Sequence, residues 1–458
     1  MHMNLQERIA AVRALELGCT EVTAVTEERE YAAELGTVLP PFVRVALVSR
    51  PSESSYIRHE VWLPLDWNGI FLGMGNGGLA GNLRYERLAF GERNGCATAH
   101  TDMGTSDGRV RGAKNPEIHK DFGWRATYLM TKVCKQITEC FYGKPISYSY
   151  FLGRSTGGQQ ALGLAQRYPR EYNAIVAGVP GFDRTHLHTY FLWSYNSMHR
   201  ADGSCLFTKD EIQVITQKAI AYCQEKGIAE NGKQFISLPP TDRDFLAGLV
   251  NSLDFLTREQ KTALLAVYTG PVDPKTGGQI HCGMPMGSES TPTGMLAMLG
   301  AESPYFYPFV WVFGSDYKGT AFDFSADMEA MDQYLAENLN ATDPDLAEFF
   351  AIGGKLLMYS GSADACVPFP GAVAHFKKIC AACPEATENQ LRYFILPGMD
   401  HNAEFYLHGK AVMNGQFEIA NNLDIIRLWY EDGITPERFD VVALSGDKKI
   451  VEPIYKII

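Results

Sequence analysis

Apolar residues recur along this chain with two periodicities, one typical of strands and one of helices, and together they predict an α/β protein. From Phe42 to Leu63 apolar and polar positions alternate, which is typical of two strands in an antiparallel hairpin. Shorter apolar runs bounded by turns predict further strands at residues 69–75, 96–100, 148–152, 174–179, 355–360 and 391–396. Helical spacing of apolar residues predicts helices at residues 122–142, 159–168, 371–380 and 421–432. Buried strands that alternate with helices favour a mostly parallel sheet covered on both faces.

This alternation stops in the middle of the chain. From residue 185 to 350 strand patterns are hard to find, and amphipathic helices at 209–225 and 257–268 lie among turns rich in Gly, Pro and Met. The pattern predicts one α/β domain built from residues 1–184 and 351–458, interrupted by an inserted lid of residues 185–350. Such an insertion would fold over the carboxyl edge of the sheet, where α/β proteins bind their ligands.

The charge and hydropathy of the chain exclude several classes of protein. The 458 residues carry 41 Lys and Arg against 53 Asp and Glu, a net charge of −12, which disfavours nucleic acid as a partner. No run of 18 apolar residues occurs, so no membrane association is predicted. The first ten residues lack the apolar core of a secretory signal, so we expect an unexported protein unless Met1-His2-Met3 replaces a natural leader.

The cysteines and histidines do not indicate a metal site. Cys380 and Cys383 form a C-x-x-C pair, but neither a second pair nor nearby histidines accompany it. His186 and His188 would point to one face of an extended segment, yet no third ligand follows at metal-binding spacing. We therefore expect neither a metal nor another cofactor.

A serine at position 155 is the first candidate for chemistry. It lies in a G-x-S-x-G motif, Gly153 to Gly157, between the predicted strand 148–152 and a predicted helix. In this strand-turn-helix setting a sharp turn exposes the serine hydroxyl as a nucleophile. The two glycines are required because a side chain at either position would collide with a neighbouring strand or helix. The alternative is a glycine-rich turn with an inactive serine.

A nucleophilic serine needs a base, and the base needs an orienting acid, in the chain order Ser, acid, His. Asp364 follows the predicted strand 355–360, and His401 follows the predicted strand 391–396. Both positions fall at the carboxyl edge of the sheet, so we predict a triad of Ser155, Asp364 and His401.

Other residues compete for the roles of acid and base. Asp400 is adjacent to His401 in sequence, but chain neighbours rarely direct their side chains at each other, and a solvated turn is the favoured interpretation. His375 and His408 follow no predicted strand, which favours structural or surface roles.

An acyl-transfer site also needs an oxyanion hole of backbone N–H groups. One donor should be Thr156, the residue after the nucleophile. The other should come from the glycine-rich loop 75–78, where we choose Gly77 first and Gly78 second, because the absence of side chains lets the backbone approach an oxygen atom. The loop lacks the lysine or the spacing of a phosphate-binding motif.

Several blocks of sequence resemble the tannase and feruloyl esterase family, which includes the hydrolase of mono-hydroxyethyl terephthalate. They are residues 67–78 (WNGIFLGMGNGG), 150–160 (YFLGRSTGGQQ), 165–169 (AQRYP), 341–346 (ATDPDL) and 396–401 (LPGMDH). The resemblance runs from about residue 40 to 435. It implies an α/β-hydrolase core, a large lid that supplies an aromatic pocket, and hydrolysis of esters of phenolic acids through an acyl-enzyme on Ser155.

The chain departs from the family at its cysteines. The family joins a Cys before the nucleophile to a Cys after the histidine, and here those positions are Arg154 and Asn402. An upstream family cysteine is also absent, which leaves Cys19 without that partner. The loss of these bridges favours a reducing compartment, so we expect a cytoplasmic protein.

The lost bridge suggests three roles for Arg154. If the family's backbone geometry is kept, Arg154 and Asn402 are neighbours, and Arg154 would tether the histidine loop through Asn402 or Asp400. Alternatively it points to solvent, or it turns into the pocket and binds a substrate carboxylate.

Two expectations concern the lid. The family's lid commonly holds calcium in an Asp-rich loop, but the corresponding residues 223–232 contain no Asp, so we expect no calcium. Tyr305, Phe306, Phe309 and Trp311 are candidates to stack on an acyl ring, although such clusters more often fill cores.

The leading hypothesis is a serine esterase acting on a small aromatic ester. An acyltransferase would use the same three residues, and a non-catalytic ligand-binding homologue would keep only the fold. The sequence predicts no oligomeric state.

Overall fold

The computed structural model describes residues 3–32, 37–106, 111–405, 411–445 and 448–457. The strands are β1 (Thr20–Glu28), β2 (Phe42–Ser49), β3 (Ile57–Pro64), β4 (Ile70–Met74), β5 (Ala97–Thr101), β6 (Tyr148–Arg154), β7 (Ala174–Gly178), β8 (Lys355–Gly361), β9 (Leu391–Leu396), β10 (Ala411–Met413), β11 (Phe417–Ile419), β12 (Arg438–Ser445) and β13 (Lys448–Tyr455).

The helices lie before, between and after these strands. They are α1 (Leu5–Arg13), α2 (Tyr85–Arg93), α3 (Pro116–Lys120), α4 (Ala126–Tyr142), α5 (Thr156–Arg167), α6 (Arg184–Met198), α7 (Lys209–Glu225), α8 (Arg243–Ser252), α9 (Arg258–Thr269), α10 (Tyr307–Phe313), α11 (Ala326–Met331), α12 (Glu337–Leu339), α13 (Ala347–Ala351), α14 (Phe369–Ala382), α15 (Ala386–Asn389) and α16 (Asn422–Tyr430). Single π-helical turns (Asp121–Arg125 and Asp332–Ala336) precede α4 and α12.

The main sheet has the order β1-β2-β3-β5-β4-β6-β7-β8-β9. The first four strands in this order pair antiparallel, and all pairings from β5 to β9 are parallel. The chain changes direction across the sheet after β4, because β5 lies on one side of β4 and β6 on the other. The predicted α/β class and the hairpin of residues 42–63 are confirmed.

Apolar side chains cover both faces of the main sheet. One cluster joins α1, α4, α5 and α14 to one face, with Phe71, Phe151 and Met358 at its centre. The other packs α16 and the second sheet against the opposite face, through Trp429 and Phe439. Because both faces are buried, strands such as β4 and β7 consist of buried residues only, which explains the continuous apolar runs in the sequence.

A long helical segment separates β7 from β8. All of residues 179–354 are described, and none of them joins the main sheet. The segment has an apolar core of its own around Leu249 and Val267, and a second cluster packs Trp311 against Phe122 of the α/β part. The boundaries of the lid at 185 and 350 stay a prediction.

The second sheet was not predicted from the sequence. Its order is β11-β10-β12-β13, and all of its pairings are antiparallel. Among the described residues, no helix is both long and apolar enough to cross a lipid bilayer. The cytoplasmic location stays a prediction.

Candidate active site

Ser155 occupies a sharp turn between a strand and a helix. β6 ends at Arg154 and α5 begins at Thr156, so Ser155 alone makes the turn. Its backbone is strained, with φ +62° and ψ −118°, a conformation that residues with a side chain rarely adopt. Its N–H donates to the Gly178 carbonyl at 3.0 Å, which fixes the turn against β7.

The flanking glycines allow this turn to form. A Cβ atom on Gly153 would lie 1.9 Å from the carbonyl oxygen of Gly157. A Cβ atom on Gly157 would lie 3.1 Å from the carbonyl oxygen of Asn76 in the neighbouring loop. The expected collision is therefore present at Gly153, whereas a Cβ on Gly157 would make a tight contact that a shift of a few tenths of an ångström relieves.

The three residues of the predicted triad form one hydrogen-bonded chain. His401 Nδ1 lies 2.9 Å from Oδ2 of Asp364, and His401 Nε2 lies 3.0 Å from the hydroxyl oxygen of Ser155. A carboxylate only accepts hydrogen bonds, so Nδ1 donates to Asp364 and the neutral ring leaves Nε2 as the acceptor for the Ser155 hydroxyl. This is the tautomer that a general base on Ser155 requires.

Asp364 is held rigidly by the loop after β8. Its side chain is fully buried, and its other oxygen, Oδ1, accepts from the N–H groups of Cys366 at 2.8 Å and Val367 at 2.9 Å. Two backbone donors stabilise the ionised form of a buried carboxyl. Asp364 is therefore equipped to orient the imidazole and to balance its positive charge.

The pKa of His401 is set by opposing effects. Burial of the imidazole lowers it, but the Asp364 carboxylate and Cys366 beside the ring outweigh burial. The net result raises the pKa of His401 well above its ordinary value of 6.5. A more basic imidazole accepts the serine proton more readily, provided that the solution pH keeps it neutral.

The rival residues have other roles or lie outside the described residues. Asp400 accepts from the N–H of Asn402 at 2.8 Å, which makes it a turn residue. His375 is buried in α14, where its ring stacks on Phe182 with centroids 4.4 Å apart. His408 lies outside the described residues.

The glycine-rich loop after β4 is fixed by the helix that follows the serine. The Asn76 carbonyl accepts from the N–H of Gly157 at 2.9 Å, and the Asn76 N–H donates to Oε1 of Gln160 at 2.7 Å. In a planar trans peptide the C=O and the next N–H point in opposite directions, so the direction of the Gly77 N–H is fixed too. A Cβ atom on Gly77 would meet no atom within 4 Å, so the space on the Cβ side of this residue is open.

Thr156 joins the two halves of the predicted oxyanion hole. It begins α5, so its N–H has no acceptor within the helix. Its hydroxyl donates to the Gly78 carbonyl at 2.6 Å, which brings the nucleophile turn and the glycine loop together. The structure thus brings Thr156, Gly77 and Gly78 into adjoining segments, and their role in binding an oxyanion stays a prediction.

Tyr305 is the predicted aromatic residue that lies close to these segments. It is 43% exposed, and a Cβ atom on Gly78 would be 3.9 Å from its ring. Cys366 and burial together raise the pKa of the Tyr305 hydroxyl to about 12. Tyr305 has φ +55°, a backbone conformation that is uncommon for a residue with a side chain.

Two of the other aromatic candidates are core residues. Phe309 and Trp311 are fully buried in the cluster between lid and core, and Trp311 stacks on His119 with centroids 5.1 Å apart. Trp311 packs on His119 and Phe122 of the α/β part, whereas Phe309 packs on Phe306 and Phe322 of the lid. This burial favours a structural role for both residues, and their contact with substrate stays a prediction. Phe306 is half-buried and stacks on Phe309, and it lines a separate cavity of about 270 Å³ with Leu192.

Arg154 reaches the histidine loop through partners other than those expected. Its Nη1 donates to the His401 carbonyl at 3.4 Å and lies 3.8 Å from Oε1 of Glu404. Asn402 and Asp400, both described, are not among its hydrogen-bond partners. The predicted tether through Asn402 or Asp400 was wrong, and Arg154 instead contacts the histidine loop at His401 and Glu404.

The histidine pair at the start of the lid lies on a helix. His186 and His188 belong to α6, so the expectation that they share a face of an extended segment was wrong. His186 pairs with Asp183 at 3.2 Å and Asp332 at 3.0 Å. Burial lowers its pKa, but these two carboxylates raise it to about 10 overall. His188 is buried, and its Nδ1 donates to the Tyr305 carbonyl at 2.7 Å.

The lid residues 223–232, considered above for calcium, do not fit that ion. Residues 223–232 contain two carboxylates, Glu225 and Glu230, and Glu230 pairs with Lys233 at 3.1 Å. Calcium requires six to eight oxygen ligands. Within the described ranges, no group of three or more His, Cys, Asp and Glu side chains is arranged to hold a metal.

Two residues at this site were missed in the sequence. Cys366 lies two positions after Asp364, and Arg184 lies six positions after the end of β7. Both follow parallel strands at the carboxyl edge, and that position was the signal that could have indicated them.

The sequence and the fold also match known proteins. The family profile described as tannase and feruloyl esterase matches residues 43–454. An esterase of Xanthomonas campestris is 30% identical, over 96% of this chain and 84% of the relative. A protein described as probable feruloyl esterase B-2 of Aspergillus flavus is 28% identical, over 98% of this chain and 87% of the relative. The crystal structure of feruloyl esterase B from Aspergillus oryzae shares the fold, with a TM-score of 0.82, 23% identity and coverage of 98% of this chain and 95% of that chain.

These matches identify the family on sequence as well as on fold. The family profile covers residues 43–454, and the match to the Xanthomonas relative covers 96% of the chain. The predicted resemblance and the α/β-hydrolase fold are confirmed. This chain therefore belongs to the tannase and feruloyl esterase family, and it is a carboxylic ester hydrolase.

Proposed function

We propose that the protein hydrolyses esters of phenolic acids with Ser155 as nucleophile, His401 as general base and acid, and Asp364 as the group that orients His401. The observation that carries the proposal is the 3.0 Å contact between His401 Nε2 and the Ser155 hydroxyl, with Nδ1 bound to a buried carboxylate at 2.9 Å. A serine hydroxyl is a weak nucleophile without such a base.

Acylation begins when His401 Nε2 removes the Ser155 proton as Oγ attacks the ester carbonyl carbon. The carbonyl electron pair moves to oxygen, and the N–H groups of Thr156 and Gly77 or Gly78 bind the resulting oxyanion. The bond to the leaving alcohol oxygen then breaks, and the imidazolium returns its proton to that oxygen. The product of this half-reaction is an acyl ester of Ser155 and a free alcohol.

Deacylation repeats these steps with water. His401 removes a proton from water as its oxygen attacks the acyl carbon, and the second tetrahedral intermediate uses the same oxyanion donors. Its collapse breaks the bond to Ser155 Oγ, which regains a proton from His401, and releases the carboxylic acid. The proposed chemistry uses only groups of the chain and water.

The aromatic substrate class is supported by Tyr305 and by the names of relatives. Tyr305 presents a half-exposed ring beside Gly78, in the loop that we expect to bind the ester carbonyl oxygen. Stacking on a planar ring favours hydroxybenzoyl or hydroxycinnamoyl groups over aliphatic ones. Two of the relatives are described as feruloyl esterases.

The test compares the wild type with Ser155→Ala on methyl ferulate, methyl gallate and 4-nitrophenyl acetate. We expect the wild type to release free acid from the aromatic esters, and the variant to lose at least about 10³-fold in kcat. Mass spectrometry of the quenched wild type should show one acyl group on the peptide that contains Ser155. Equal rates in both proteins would overturn the proposal, and acyl transfer to an added alcohol in preference to water would identify an acyltransferase.

A further inference from the structure

A buried arginine lies directly behind the predicted oxyanion hole. Arg184, the first residue of α6, is 4% exposed. Its Nη2 donates to the hydroxyl oxygen of Thr156 at 3.0 Å, its Nε donates to Oε1 of Gln159 at 3.0 Å, and its Nη1 donates to the hydroxyl of Tyr307 at 3.1 Å. The planar guanidinium thus contacts α5 on one side and the lid on the other.

The Thr156 hydroxyl links Arg184 to the glycine loop. It accepts from Arg184 and donates to the Gly78 carbonyl at 2.6 Å, so its single proton points at the loop. Because Arg184 donates to the Thr156 oxygen, the hydroxyl proton is directed away from the guanidinium, and turning it to another partner would lose the bond to Gly78. Arg184 therefore determines which way Thr156 holds Gly78.

The charge of Arg184 is not balanced locally. Among the described residues, no carboxylate oxygen lies within 4 Å of its guanidinium, and the three acceptors named above are neutral. The guanidinium carbon lies 5.4 Å from the centre of the Phe122 ring, which adds a weak attraction. Burial of a cation without a counter-ion costs folding free energy. The same charge creates a positive potential behind the N–H groups that we predict to bind the oxyanion.

We propose that Arg184 is a positioning residue for the oxyanion hole: acting through the Thr156 hydroxyl, it holds the Gly77-Gly78 backbone against the start of α5 and favours negative charge there. The inference rests on the proposed function, since it assumes that Ser155 forms tetrahedral intermediates. The competing explanation is that Arg184 only anchors the lid to α5, which would affect folding and substrate binding but not the chemical step.

The key variant is Thr156→Val, which removes the hydroxyl and keeps the shape of the side chain. Thr138→Val is the matched control, because Thr138 is also buried in a helix and donates only to the Cys134 carbonyl one turn earlier. For 4-nitrophenyl acetate we expect kcat of Thr156→Val to fall about 10- to 100-fold with KM within about threefold, less than the loss of a direct oxyanion donor. Thr156→Ser keeps the hydroxyl and should restore most of the rate, and Thr138→Val should match the wild type.

A second measurement tests binding of the oxyanion separately from binding of a planar ligand. Phenylboronic acid accepts the Ser155 oxygen at boron, while the serine proton passes to His401, and the adduct is a tetrahedral anion like the intermediate. Its inhibition constant should rise in Thr156→Val by about the factor lost in kcat, while binding of ferulate, a planar product, stays unchanged. Arg184→Met should show the same pattern. The double variant should keep the same kcat as the less active of the two single variants, because both substitutions break one chain of contacts.

The outcomes distinguish this inference from the proposed function. An active Ser155→Ala would refute the proposed function itself. An inactive Ser155→Ala together with folded Thr156→Val and Arg184→Met variants that keep wild-type kcat and boronate affinity would refute only the role of Arg184. If the variants instead raised KM and the ferulate dissociation constant and left kcat unchanged, the role of Arg184 in the oxyanion hole would also be refuted. Arg184 would then only anchor the lid to α5.

Discussion

His401 Nε2 lies 3.0 Å from the Ser155 hydroxyl oxygen, although 246 positions of chain separate the two residues. The contact exists because β6 and β9 run parallel in one sheet, so the turns after both strands meet at the same edge. β7 and β8 lie between them, and the turn after β8 supplies Asp364 to the far side of the imidazole.

Replacing Asp364 by Asn should inactivate the enzyme while leaving the fold intact. An amide is close in shape to the carboxylate, but its NH₂ group can donate to His401 Nδ1 and so favour the tautomer with its proton on Nε2, which cannot accept from Ser155. We expect kcat to fall by about 10⁴-fold. Circular dichroism should match the wild type, and a variant that keeps more than a tenth of wild-type kcat would exclude the orienting role of Asp364.

Activity should rise with pH, with a midpoint above 6.5. The folded environment raises the pKa of His401 above its ordinary value, and the protonated imidazole cannot take the serine proton. The same shift stabilises the fold below pH 6.5, and this contribution is lost as pH rises through the folded pKa. The measurement is kcat/KM for 4-nitrophenyl acetate between about pH 5 and 9, corrected for spontaneous hydrolysis. A flat profile would contradict a histidine base.

The triad could be predicted because each member follows a short apolar strand. Burial on both faces produces continuous apolar runs, and these mark where β6, β8 and β9 end without knowledge of any tertiary contact. The terminal sheet could not be predicted in this way. β10 and β11 have three residues each, too few for a periodicity, and Pro453 interrupts the pattern of β13.

Gly153→Ala should prevent the nucleophile turn from forming. The added Cβ would lie 1.9 Å from the Gly157 carbonyl oxygen, which is backbone and cannot yield without moving α5. We expect loss of activity with a marked drop in melting temperature, or failure to accumulate as soluble protein. Gly163→Ala in the same helix is the matched control, because a Cβ there meets no atom within 4 Å, and it should stabilise the fold by about 0.5–1 kcal/mol. An active, equally stable Gly153→Ala would contradict the described turn.

Arg154→Met should slow the reaction slightly without destabilising the protein. It removes the bond to the His401 carbonyl and the pairing with Glu404, both partly exposed to solvent. Such pairs contribute little, so we expect kcat/KM to fall about two- to fivefold and the free energy of unfolding to change by less than about 1 kcal/mol. Arg170→Met, which breaks an exposed pair with Glu348, should change neither quantity. A rise in KM for a carboxylated ester alone would indicate that Arg154 binds substrate instead.

The aromatic residues of the lid show where sequence reasoning fails. Tyr305, Phe309 and Trp311 lie within seven positions of one another, and composition gives no reason to separate them. Only the structure shows that α10 buries Phe309 and Trp311, while Tyr305 stays half-exposed beside the glycine loop. Burial depends on partners such as His119 that are distant in sequence, and no local pattern encodes it.

Tyr305→Ala and Trp311→Ala should therefore have different effects. Tyr305→Ala should raise KM for methyl ferulate about 2- to 12-fold, which corresponds to the binding free energy of one aromatic contact. KM for 4-nitrophenyl acetate should stay unchanged, because the acetyl group has no ring to stack on Tyr305. Tyr305→Phe keeps the ring and should behave as the wild type. Trp311→Ala should cost about 3–5 kcal/mol of folding stability, since it empties a fully buried site, with KM of the folded fraction unaltered. If Tyr305→Ala instead lowered stability and raised KM for both esters alike, the ring would be a structural support of the lid and would have no part in selecting the acyl group.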